Sequence, residues 1–236
     1  MTPSSARRLR SVPPDAVPSA SRTADLPRDR ARPPWWAVLT SVTAPVAMIG
    51  GWTLAGAVQG GFDPVRRTIS DLAATTAVHP GIMTTGLLLT GAAHVGTALG
   101  LRAAAVPGRL LLALGGLGTA AVAVLPSDRV PSAHGVAAAV AFGSLALWPA
   151  AASRSRRGDR GAAPGPGSPA RAPAVLGRAA GVAASVVLTG LLVWFVLELQ
   201  GAAPDQGATT GLAERAVAGA QSLWPCVVVL ALRRGR

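Results

Sequence analysis

Six stretches of the chain run without Asp, Glu, Arg or Lys: residues 37–58, 81–101, 110–126, 133–152, 179–197 and 216–232. An α-helix rises about 1.5 Å per residue, so about 20 apolar residues cross the ~30 Å of hydrocarbon in a bilayer. Six such runs are foreign to a water-soluble chain. The pattern predicts an all-α integral membrane bundle of six transmembrane helices. Polar positions fall between these runs, in connectors and tails. Two runs contain the same triplet, Leu147-Trp148-Pro149 and Leu223-Trp224-Pro225. The proline in each is expected to kink its helix, with neighbouring groups satisfying the freed backbone.

The connectors give an orientation. All 22 basic residues are Arg. Seven lie in the N-terminal tail, two are Arg102 and Arg109, six lie from Arg154 to Arg178, and three end the chain; only Arg66, Arg67, Arg129 and Arg215 occupy the alternate connectors. Because arginines hold loops on the cytoplasmic side, both termini are expected in the cytoplasm of a bacterial plasma membrane, in a multi-pass topology. The net charge of +12 then belongs mainly to the inner face, where anionic membrane lipid is the natural partner. Nucleic acid is not an expected partner, because these arginines sit in Pro/Gly/Ser-rich segments rather than on a folded basic surface.

Residues 1–34 have almost nothing to bury and read as a disordered cytoplasmic tail. Residues 35–236 form the six-helix transmembrane domain, with 153–178 a flexible cytoplasmic linker. The first apolar run ends in the small-x-small triplet Ala55-Gly56-Ala57. At about 22 residues it exceeds the 7–15 residues of a leader's apolar core, so cleavage is not expected.

Composition adds little chemistry. Half the chain is apolar, yet aromatics are 4%, so Ala and Gly must make the helix contacts. Gly115, Gly116, Gly118 and Thr119 are the densest small-residue patch, suited to close packing. The single cysteine, Cys226, forms no internal disulfide. Only three histidines occur, at 79, 94 and 134, too few at matched depths for bis-His haem. No cofactor is implied.

Candidate chemistry gathers at the outer helix ends. Ser70 and Asp71 suit either the cap of a short interfacial helix from about 71 to 78 or a binding role. Asp71 can also pair with Arg66 or Arg67. Asp128 and His134 flank a tight connector in which Ser132 can cap the fourth span. His134 then lies in the first turn, either as a polar latch or as a ligand and acid/base group. Glu214 and Arg215 open the sixth span, with Arg215 a partner for Asp71 or Asp128. Glu198 reads as interfacial. His79, before Pro80, reads as the start of a helix and is a weaker candidate. His94 lies within the second span, on one face with Thr90 and Thr97. Ionisable groups inside a membrane mark functional sites, although an interhelical hydrogen bond is the simpler reading.

Three segments carry a resemblance. Ile69-Ser70-Asp71-Leu72, Pro126-Ser127-Asp128 followed by His134-Gly135, and Gly211-Leu212-Ala213-Glu214-Arg215 resemble a bacterial polytopic membrane-protein family, domain of unknown function 998. The resemblance covers about residues 37–232. It implies six spans and the same outer residues, and transfers no activity.

The expected site is therefore Ser70, Asp71, Asp128, His134, Glu214 and Arg215, converging at the outer leaflet. The expected function is binding of a lipid headgroup, an envelope component or a protein partner. A small membrane transporter is an alternative, weakened by a midplane whose only acid or base is His94. The other is a membrane-embedded metal-dependent hydrolase with Asp71, Asp128 and His134 as catalytic candidates. No metal-binding spacing supports it, and Ser70 can act as a nucleophile only with a base in reach.

Overall fold

A computed structural model describes residues 32–153, 174–204 and 206–234. The tail up to residue 31 and linker residues 154–173 lie outside the described residues, as does Asp205. Seven α-helices are present among the described residues: α1 (Trp35–Val58), α2 (Ile69–Ala73), α3 (Pro80–Gly100), α4 (Val106–Val124), α5 (Pro131–Ala152), α6 (Arg178–Leu199) and α7 (Thr210–Arg234). A 3₁₀ turn, Ala174–Leu176, precedes α6. All but α2 are long and apolar enough to cross a membrane, so this is a six-span membrane protein.

The six long helices form a closed ring. Helix α1 packs on α3 and α7, and the circuit runs from α3 through α4, α5 and α6 back to α7. Small residues set its tightness. A Cβ on Gly91 would lie 2.5 Å from Gly116 O, and one on Gly116 would lie 2.6 Å from Gly91 O, so α3 and α4 meet backbone to backbone. Gly118 meets the Ala141 backbone of α5 in the same way, and Gly115 makes room for the Leu145 side chain. Among lipid tails, apolar side chains gain nothing by leaving the solvent, and such close approach becomes the source of association. Large apolar side chains accordingly face outward: Val46, Leu117 and Val186 are each at least 60% exposed.

Prolines lie in the first turn of α3, α4 and α5, where a missing N–H costs nothing. Ser132 is not the cap of α5. That helix starts at Pro131, and its N-cap, Val130, offers no side-chain bond. Pro149 and Pro225 sit inside α5 and α7. Beside the first, Ser185 Oγ accepts from Ala150 N–H at 3.0 Å across the α5–α6 contact. At the arginine-rich end Arg109 donates to Ala98 O at 2.8 Å, and Arg233 to Pro33 O at 3.0 Å. Both bring a cation to a helix terminus.

Candidate functional site

The three connectors at the opposite end interlock, and α2 is their keystone. Thr68 and Asp71 make a reciprocal capping box: each side chain accepts the other's N–H at 3.0 Å. The cap is thus Thr68 rather than Ser70 or Asp71. The helix ends at Ala73 rather than near residue 78, because Thr75 is drawn away by Asp128.

Capping leaves the Ile69 N–H and the Ser70 hydroxyl for other partners. Ile69 N–H donates to Glu214 Oε2. Ser70 Oγ lies 3.3 Å from Glu214 Oε1 and 3.1 Å from His134 Nε2. His134 Nδ1 lies 2.7 Å from Leu125 O. A carbonyl only accepts, so Nδ1 carries a proton, and in the neutral imidazole Nε2 is an acceptor facing Ser70. Glu214 and His134 are buried and Ser70 is half-buried. Two potential acceptors face one hydroxyl proton, so one further proton, on the carboxyl or the imidazole, completes the cluster.

Helix α7 reaches this place because Gly211 lets it. A Cβ there would lie 2.1 Å from Arg67 O and 2.8 Å from Pro64 O. Leu212 N–H donates to Val65 O at 2.9 Å. Arg215 Nη1 then donates to Pro64 O, Arg67 O and Gly211 O at 2.8–2.9 Å, and its guanidinium lies 5.4 Å from the Phe62 ring centre. Arg215 is a clamp on backbone carbonyls, not the partner of Asp71 or Asp128, because those carbonyls lie within its reach and already converge. Glu198 holds the other approach to α7. It is buried at the end of α6, accepting from Trp194 Nε1 and Thr209 N–H, both at 3.2 Å.

The cluster caps a cavity of about 410 Å³ inside the ring. All six long helices line it, and α2 closes one end. Its walls are apolar, with Met48, Leu87, Val122, Phe142, Leu192 and Phe195 among them. Deeper lie His94, Thr119 and Gln221. His94 Nδ1 and Gln221 Oε1 are buried and have no hydrogen-bond partner among the described residues, so the expected interhelical bond of His94 is not made through Nδ1. Thr90 and Thr97, on its face, bond instead to Gly86 O at 2.7 Å and Thr40 Oγ1 at 3.1 Å. Gly135 and Ala139 on α5, with Val196 and Leu199 on α6, both line the cavity and are exposed on the ring's outer surface. The cavity thus reaches the flank of the bundle between α5 and α6.

A family described as a protein of unknown function, DUF998, matches residues 41–231. The chain belongs to this family. Neither a curated protein nor a solved structure matches it. The three family-like segments are the three parts of the interlocked end.

Of the six residues expected to converge, Ser70, His134 and Glu214 share hydrogen bonds. Asp71 lines the same cavity, but its carboxylate serves Thr68 N–H and lies 3.6 Å from Arg67 Nε. Asp128 is exposed and latched to Thr75, accepting its N–H at 3.1 Å and its hydroxyl. These bonds hold its carboxyl below the ordinary carboxylate value. His79 is exposed at the N-cap of α3, without a side-chain cap bond. Asp71, His79, Asp128 and His134 do not assemble as metal ligands; no group of three or more His, Cys, Asp or Glu forms such a set among the described residues. Gln221 was missed. It is the only amide in the sixth apolar run, and the rule that singled out His94 applies to it equally.

Proposed function

We propose that this protein binds an amphiphile of the bilayer in its central cavity. The polar group rests on Ser70, His134 and Glu214, and the apolar chain runs along Leu87, Phe142, Leu192 and Phe195 toward His94 and Gln221. In this reading both termini are cytoplasmic, the cluster faces the outer leaflet of a bacterial plasma membrane, and the opening between α5 and α6 faces lipid. The arginine distribution supports that orientation. The carrying observation is the cavity itself: about 410 Å³, hydrogen-bonding at one end and apolar along its walls. This lies within the roughly 300–1,000 Å³ of small-molecule sites, which pair apolar walls with a few placed polar groups. The unpartnered His94 and Gln221 atoms favour a ligand with a second hydrogen-bonding group. Glu214 and Gln221 are seven residues apart on α7, roughly 10 Å along the axis.

Mass spectrometry of lipid retained through gentle detergent purification tests the reading. Ala139→Trp places a bulky ring at the opening, and Val136→Trp places one on an exposed position of the same helix that does not line the cavity. The expected outcome is a defined lipid class near one per chain in the wild type and in Val136→Trp, reduced several-fold in Ala139→Trp. Equal retention in all three contradicts the proposal.

A further inference from the structure

The cluster beneath the interlocked connectors is more than a polar seat. Ser70 Oγ lies within hydrogen-bond reach of a histidine nitrogen that accepts in the neutral ring, and the histidine's other nitrogen is held by a backbone carbonyl. A nucleophile, a base in contact with it, and a third group orienting the base are the parts that covalent catalysis at a hydroxyl requires. These groups stand at the closed, hydrogen-bonding end of a cavity whose walls are otherwise apolar.

We propose that Ser70 is an acyl-accepting nucleophile, that His134 is its general base, and that the bound amphiphile is an ester-linked lipid. This rests on the reading that the cavity seats such a molecule. In the first half-reaction Ser70 Oγ bonds to the ester carbonyl carbon while its proton passes to His134 Nε2. The carbon–oxygen bond to the leaving alcohol breaks, and that oxygen takes the proton from Nε2. The product is an acyl ester on Ser70. In the second half, water or an acceptor hydroxyl gives its proton to Nε2 and attacks the acyl carbon. Ser70 Oγ departs and recovers the proton, releasing a fatty acid or a new ester. The developing imidazolium is steadied by the short contact between Nδ1–H and Leu125 O. Ser70's own N–H lies in the first turn of α2, where helix donors have no intrahelical acceptor, and is offered to the oxyanion. Glu214 binds Ile69 N–H, and so fixes the peptide that carries the nucleophile.

The test is reaction of the full-length protein, in nanodiscs of ester-linked phospholipid, with a long-chain alkyl fluorophosphonate, whose fluoride an activated serine displaces. Peptide mass mapping is expected to place the adduct on Ser70. Ser70→Ala abolishes it, and His134→Gln slows it by at least about tenfold, base removal commonly costing 10²- to 10⁴-fold. Ser132→Ala, an exposed serine outside the cavity, leaves it unchanged. Lipid retention is measured on the same wild-type samples, and thermal unfolding of Ser70→Ala in detergent, expected to match the wild type, reports that the variant folds. Retained lipid with no adduct on wild-type Ser70 overturns the nucleophile and leaves the binding reading standing. Absence of both lipid and adduct overturns the two together. An adduct indifferent to His134→Gln overturns the base.

Discussion

Gly211 shows how a single residue sets the geometry of the site. Its missing Cβ admits the 64–67 backbone against α7, which lets Arg215 clamp three carbonyls and delivers Glu214 to α2. Gly211→Ala forces these apart, and overpacking of this kind costs about 1–3 kcal/mol. Gly143, also helical, has nothing within 4 Å of a Cβ. Gly143→Ala is therefore expected to be neutral or stabilising, by up to about 1 kcal/mol. Thermal unfolding in detergent distinguishes the two, and equal melting temperatures contradict the close approach. Residue types at this scale were readable from the sequence; pairings were not. Ser70, His134 and Glu214 were all singled out by their place at helix ends, but Ser70 can cap, pair or react. Only the capping of α2 by Thr68 leaves its hydroxyl to His134. Arg215 went the other way, since carbonyls leave no mark in a sequence and carboxylates do.

At the scale of elements, the six apolar runs marked the spans because hydrocarbon demands them, while their N-terminal ends moved outward. Helix α7 begins at Thr210, six residues before its apolar run, so Glu214 and Arg215 lie within the helix rather than ahead of it. Between elements, the Asp128 latch joins the α4–α5 connector to the segment after α2. Thr75's side-chain and backbone bonds lower the Asp128 pKa in the folded state below its ordinary value of 3.8. Its contribution to stability is then fully present above 3.8 and fades as pH falls through the lower folded value, since the unfolded chain takes up the proton first. Melting temperatures of the wild type and Asp128→Asn are expected to differ most near neutral pH and to converge below 3.8. A gap that widens on acidification contradicts the latch. Asp128 is exposed, so the difference is small.

Across the whole molecule, a closed ring leaves a central space that no linear pattern announces. Met48, Leu87, Thr119, Ala138, Leu192 and Ala218 each look like ordinary span residues, and only the closure of α7 on α1 makes them walls of one cavity. His94 and Gln221 were legible as polar groups in apolar runs, but not as atoms left facing a void. Placing the hydrogen-bonding cluster at one end of that space and the arginine-rich connectors at the other gives the bundle a chemical polarity along its axis. The most direct measurement is an electron cryo-microscopy map of the protein in lipid nanodiscs. Its expected result is elongated density running from Ser70, His134 and Glu214 toward His94 and Gln221, reached from lipid between α5 and α6. Helices packed to the axis with no space between them, or Ser70 and His134 turned apart, contradict the account.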